Sequence, residues 1–143
     1  MIRTGGAVHP CGMRPLPAEL VEALEHSDEV LVTSRDPESG RRGTVPMWFA
    51  VAPPGVVYLL THAFSRKAER WRHDPWVRLA VPGTGVAAEG VVRFVDGEEV
   101  DRVAPLAVER WDMAGAATPE ALHRLLDAGT HALLCVEAPP GPG

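Results

Sequence analysis

Thr61-His62-Ala63-Phe64-Ser65-Arg66-Lys67 is the stretch whose residue types and spacing could do chemistry. A strand-like run ends in threonine, a short loop follows, and a serine stands where a helix begins, with two cations in its first turn. The first N–H groups of a helix have no intrahelical acceptor, and the macrodipole adds partial positive charge there. Two cations oppose that dipole, and a bound anion reverses the sign of the interaction. Ser65, Arg66 and Lys67 therefore read as a phosphate cradle, with the arginine able to grip two oxygens at once. The plainer reading is an ordinary N-cap followed by two solvated cations. Arg70 and Arg72 extend the positive patch on the same helix.

The elements that must position these residues are legible from punctuation and periodicity. Pro17 opens a short helix with Leu20, Val21 and Leu24 on one face. Residues 29–34 read as a strand, and Asp36-Pro37-Glu38-Ser39-Gly40 as a turn. A second strand covers about 43–52, where Pro46 implies an edge position or a bulge. Pro53-Pro54-Gly55 turns the chain into a third strand over 56–61. The helix after Ser65 runs to His73 and is stopped by Asp74-Pro75. Two more strands follow, over 76–81 and 86–95. Residues 98–111 look helical with an interruption at Pro105, and Thr118-Pro119-Glu120 starts a cleaner helix striped by Leu122, Leu125 and Leu126. Gly129 ends it, and residues 130–137 form the last strand. The sum is mainly β: a small antiparallel barrel of about six strands with a few short helices, in a single domain over 1–143. Residues 1–15 read as an N-terminal arm and 138–143 as a flexible tail.

Tyr58 to Ala68, followed by Asp74-Pro75-Trp76-Val77-Arg78-Leu79, resembles the pyridoxamine 5′-phosphate oxidase-like superfamily, whose fold is the FMN-binding split barrel. Gly43-Thr44-Val45-Pro46-Met47-Trp48-Phe49 is similar to that family's strand lying along the isoalloxazine ring. The resemblance covers roughly residues 17–112. It implies that Ser65, Arg66 and Lys67 hold the cofactor phosphate, that Thr61 contacts the ribityl chain or ring edge, and that Met47 and Trp48 contact the ring. Glu89 or Gly90 falls where the true oxidases present a glutamine, and an acid there is a departure. The Trp- and Arg-rich C-terminal segment that grips the B6 phosphate in those oxidases is replaced here by Thr130 to Glu137 and a Pro/Gly end, so vitamin B6 oxidation is not expected. The resemblance implies a flavin- or deazaflavin-dependent oxidoreductase moving a hydride to or from a small organic substrate. The full Ser65-Arg66-Lys67 set points to FMN; the Pro46 to Phe49 strand and the short chain look like relatives that use the deazaflavin coenzyme F-420. A homodimer with the cofactor near its interface is implied as well. Two alternatives are a non-catalytic binder of flavin, deazaflavin or haem, acting as carrier or sensor, and a split barrel that persists as an interaction module without a cofactor.

The remaining features exclude more than they assign. Net charge is −5 over 143 residues, so nothing in the total points to nucleic acid or an anionic membrane. No apolar run approaches the roughly 20 residues that span a bilayer. The N-terminus shows no charged-then-apolar export pattern, and a cytoplasmic protein is expected. Cys11 and Cys135 lie far apart and read as reduced thiols, with a disulfide the alternative. No metal-ligating or nucleophile motif occurs. Trp48, Trp71, Trp76 and Trp111 read as core or interface packing, with Trp48 or Trp111 against a ring or its substrate as the functional alternative. His62 reads as a solvated loop histidine or as a hydrogen-bonding group beside the cradle.

Overall fold

The computed structural model describes residues 13–111 and 118–140. Along the chain lie α1 (Ala18–Glu25), β1 (Val30–Arg35), β2 (Arg42–Met47), β3 (Phe49–Ala52), β4 (Val56–His62) and α2 (Arg66–His73). They are followed by β5 (Trp76–Ala80), β6 (Ala87–Phe94), α3 (Glu98–Trp111), α4 (Pro119–Asp127) and β7 (His131–Glu137). The seven strands form one antiparallel sheet in the order β2-β1-β5-β6-β7-β4-β3. The mainly-β architecture expected from the sequence is therefore the one observed.

The strand count differs from expectation by one, for a physical reason. The single strand expected over 43–52 is two strands, separated only by Trp48, and these occupy opposite edges of the sheet. A break of one residue cannot bridge two distant edges, so the sheet curls until they meet at Trp48. Pro46 lies on edge strand β2, opposite Leu31, where a residue lacking an N–H is tolerated.

Curling divides the core into two. Leu20 and Leu24 of α1, Val32 of β1, Phe49 of β3, Val57 and Leu59 of β4, Leu79 of β5 and Leu134 of β7 fill the concave side. On the other side of the same strands, Val56, Tyr58, Leu133 and Cys135 pack under Val100, Val103 and Ala104 of α3 and Leu122 of α4. β4 and β7 are thus covered on both faces, which accounts for their near-continuous apolar runs. α3 runs unbroken through Pro105, where an interruption was expected. Burial of Val100, Val103 and Ala104 against the sheet offsets the roughly 3 kcal/mol that an internal proline costs a helix.

A buried ionic cluster fastens α3 to the barrel. Arg93 of β6 donates to both carboxylate oxygens of Glu99 at 2.7 and 2.8 Å and to Glu137 at 2.8 Å. The Tyr58 hydroxyl donates to Glu99 at 2.8 Å. Glu137 also accepts from the backbone of Arg14, and Arg14 and Ala138 exchange backbone and side-chain hydrogen bonds. The C-terminal end of the expected arm and the start of the expected tail are therefore joined to each other, with Leu16 held on Gly55. Gly90 has a packing role: a Cβ there would lie 2.7 Å from the Glu137 carbonyl oxygen. Cys135 is buried and its thiol is pushed up to about 12 by that burial; Cys11 lies outside the described residues.

The Arg93 guanidinium and the Tyr58 hydroxyl hold the Glu99 carboxyl below the ordinary carboxylate value. A depressed folded value means that Glu99 contributes its stabilisation above about pH 4.3 and loses it as pH falls towards the folded value. Arg93→Ala removes the guanidinium that the buried Glu99 and Glu137 share, leaving them only Tyr58 and Arg14 among the described residues, and urea unfolding at pH 7 is expected to show a loss of about 3 kcal/mol. The loss should shrink on acidification below pH 4, as Glu99 protonates. A loss under about 0.5 kcal/mol would mean that the cluster does not hold α3.

Candidate functional site

The start of α2 is built as its sequence requires. Ser65 takes an extended conformation as N-cap and its Oγ accepts from the Ala68 amide at 3.1 Å. The first helical backbone bond runs from Glu69 to the Ser65 carbonyl at 3.0 Å. The amides of Arg66 and Lys67 precede that bond and have no intrahelical acceptor. Thr61, buried at the end of β4, places its Oγ1 3.4 Å from the Ser65 Oγ and so ties strand end to helix start.

The four cations near this turn divide into two that hold structure and two that are available. Arg72 donates to the Ala63 carbonyl at 2.6 Å and to Glu69 at 3.1 Å, bracing the loop from behind. Arg70 donates to Ser34 Oγ at 3.2 Å, and its guanidinium takes the space where a Cβ on Gly43 would stand, 2.8 Å away. The positive patch expected from Arg70 and Arg72 is therefore spent within the fold. Arg66 is exposed, and Lys67 is half-buried; neither has an ion-pair or hydrogen-bond partner among the described residues. Burial alone lowers the Lys67 ammonium below its ordinary value, which marks a cation short of both water and counter-charge. At the other end of α2, Asp74 caps the sheet junction. Its carboxylate accepts from Arg35 Nε at 2.6 Å and from the Trp76 amide at 3.1 Å, and Arg35 holds it below the ordinary range.

Lys67 opens onto a cleft of about 360 Å³ lined by Glu29, Pro46, Met47, Trp48, Leu60, Thr61, His62, Lys67 and His131. The cleft sits where the Met47–Trp48 crossing meets the end of β4, the start of β7 and the first turn of α2. Five residues singled out from the sequence as candidates, Met47, Trp48, Thr61, His62 and Lys67, share its wall. Ser65 stands behind it through its bond with Thr61, and Arg66 lies on the exposed side of the same turn. Glu89 is elsewhere: it is exposed on β6 in register with Arg78 of β5. Gly90 faces the core.

Glu29, Leu60 and His131 belong to the wall and were not singled out. No local signal marks His131, because the register that pairs it with His62 joins positions separated by 68 residues of intervening chain. Trp48 is 39% exposed at the cleft and Phe64 is 85% exposed on the cradle loop. Trp71 is buried and donates from Nε1 to the Trp76 carbonyl at 3.2 Å, while Trp76 stacks with the guanidinium groups of Arg35 and Arg42, each 4.7 Å from its centroid. The Trp111 side chain and the segment around His9 and Cys11 lie outside the described residues. Among the described residues no group of three or more metal-ligating side chains comes together, and no helix is long and apolar enough to cross a membrane.

No family model and no curated protein matches the sequence. Solved structures do match the fold. The haem storage protein HutZ from Vibrio cholerae shares it at 18% identity and a TM-score of 0.65, over 89% of this chain and 92% of that one. A reductase dependent on reduced coenzyme F-420 aligns at 20% identity and a TM-score of 0.58, over 77% of this chain and 94% of that one. A pyridoxine-phosphate oxidase family protein from Clostridium acetobutylicum aligns at 17% identity and a TM-score of 0.60, over 84% and 81%. A protein of unknown function from Agrobacterium tumefaciens, 18% identical with a TM-score of 0.63, is aligned over 91% of this chain but only 59% of its own length. The fold is therefore the split barrel shared by pyridoxamine 5′-phosphate oxidase-like proteins.

Ser65→Ala removes the cap and is expected to lower the unfolding free energy by about 1 kcal/mol, against a few tenths for Ser65→Gly. Denaturant unfolding of the two variants separates these values. No loss in Ser65→Ala would show that the Ser65 hydroxyl does not cap α2.

Proposed function

We propose that this chain is a cytoplasmic oxidoreductase that binds a flavin-type cofactor, FMN or the deazaflavin coenzyme F-420, for hydride transfer to or from a small organic substrate. The observation that carries this reading is Lys67: a half-buried, partly desolvated cation with no partner among the described residues, beside two helix-start amides that have no intrahelical acceptor, in a cleft walled by Met47 and Trp48. A phosphate ester fits that set, since it supplies the missing charge and accepts from the amides of Arg66 and Lys67. When bound, the ring supplies the hydride chemistry. The chain's own residues bind and orient: Lys67 and Arg66 engage the phosphate, Thr61 and Ser65 fix the strand-to-helix turn, and Met47 and Trp48 lie against the ring. Glu89, on β6 away from this wall, has no part in the reading. True pyridoxamine phosphate oxidation is not part of this reading, since residues 130–137 do not resemble the Trp- and Arg-rich segment of those oxidases.

The reading includes a homodimer in which a second copy covers Trp48 and Phe64, apolar side chains exposed beside the cleft. The likeness to a haem storage protein supports a second reading, a non-catalytic carrier or sensor of flavin, deazaflavin or haem. Turnover separates the two: reduction of the bound cofactor followed by reduction of an acceptor favours the enzyme, and tight binding without turnover favours the carrier.

Fluorescence titration of the purified protein with FMN, and separately with the deazaflavin, is expected to give micromolar binding or better for one of them, about −8 kcal/mol. Arg66→Ala with Lys67→Ala should weaken that binding by roughly 2–4 kcal/mol and leave the far-ultraviolet circular dichroism unchanged. Undiminished affinity in the double variant would remove the cradle from the account.

A further inference from the structure

The cleft carries two imidazoles that the reading above leaves without a role. His62, the last residue of β4, and His131, the first of β7, are cross-strand partners, with ring centroids 4.5 Å apart and planes tilted by 37°. Both line the same wall as Lys67. The Thr130 hydroxyl lies 3.2 Å from the Leu125 carbonyl and 3.0 Å from His131 Nδ1. Both contacts are hydrogen bonds at once when the imidazole donates from Nδ1, which leaves Nε2 as the position that gains a proton.

We infer that His62 and His131 are the proton-linked half of the anion site, so that a dianionic ligand in the cleft is bound together with a proton taken up by this pair. The inference rests on the phosphate-binding reading of the cleft. Two stacked imidazoles a few ångströms apart resist double protonation, and a bound dianion offsets that repulsion. His131 is held below its ordinary value by burial and by the neighbouring His62, so it is mainly neutral near pH 7 and available to protonate. The charged and titratable groups facing the pair are Lys67 from α2 and Glu29 before β1 in the cleft, with Asp96, His123 and Asp127 around a second cavity that His131 also borders. His123 is engaged with Asp101 at 2.7 Å. In the cleft itself Lys67 repels the protonated pair, and a dianion there reverses that balance. The ligand class favoured is a phosphate or sulfate dianion, bound more tightly as pH falls through the histidine range.

The test uses sulfate, which stays a dianion throughout the range and so does not itself take up the proton. Histidine ring resonances of the full chain are followed by NMR from pH 5 to pH 8.5, with sulfate or with chloride at equal ionic strength, and assigned through His62→Gln and His131→Gln. Sulfate is expected to raise the titration midpoint of the pair and to leave that of exposed His73 in place. Sulfate affinity should rise roughly three- to tenfold from pH 8 to pH 6, and this dependence should flatten in His131→Gln. Unmoved midpoints, or a pH dependence unchanged in both variants, overturn the inference. FMN titration at pH 8 keeps this outcome distinct: FMN bound with unmoved histidine midpoints leaves the proposed function standing and removes only the proton linkage. Shifted midpoints with no flavin or deazaflavin bound at any pH support the linkage and remove the cofactor.

Discussion

Everything at the cleft depends on the single residue between β2 and β3. Met47 ends one edge strand and Phe49 begins the other, so Trp48 is where the two edges of a seven-stranded sheet are forced together. That closure follows from chain connectivity and not from any one contact. It fixes Met47 and Trp48 over the end of β4, where the antiparallel pairing with β7 sets His62 beside His131. The first turn of α2 then completes the wall, because only three residues separate the end of β4 from Arg66.

Four arginines are engaged within the fold, whereas Arg66 and Lys67 have no ion-pair or hydrogen-bond partner among the described residues. Arg35 is matched by Asp74, Arg70 reaches Ser34 through the space that Gly43 leaves, Arg72 braces the cradle loop, and Arg93 is shared by two buried carboxylates. Each of these guanidinium groups has a hydrogen-bond acceptor within the protein. Lys67 is the contrast: it is partly desolvated and unpaired among the described residues, an arrangement that costs free energy and is relieved by an anion. The price is small because the side chain is only half-buried, which is why a binding site can tolerate it.

Much of this was legible in the sequence, and the reason is locality. The Ser65 cap, the Asp74-Pro75 stop, the edge position of Pro46 and the start of α4 at Thr118-Pro119 each depend on a few neighbouring residues, and each is observed. The helix-start cations of the candidate site were legible for the same reason. What escaped depends on register or on tertiary partners. The break at Trp48 is invisible in an unbroken β-prone run, and Pro105 was read as an interruption because propensity cannot register the packing under α3. Arg70 and Arg72 look identical to Arg66 in sequence, and only the bonds to Ser34 and Ala63 set them apart. Glu89 was drawn in by alignment with a family position, yet it stands in register with Arg78 on β6 and is not in the cleft wall.

The most direct measurement is a crystal structure of the protein grown with FMN. The account predicts the phosphate within hydrogen-bond reach, about 2.7–3.2 Å, of the Lys67 Nζ and the amides of Arg66 and Lys67, with the ring beside Met47 and Trp48. A cofactor bound elsewhere, with Lys67 still unpaired, would contradict it.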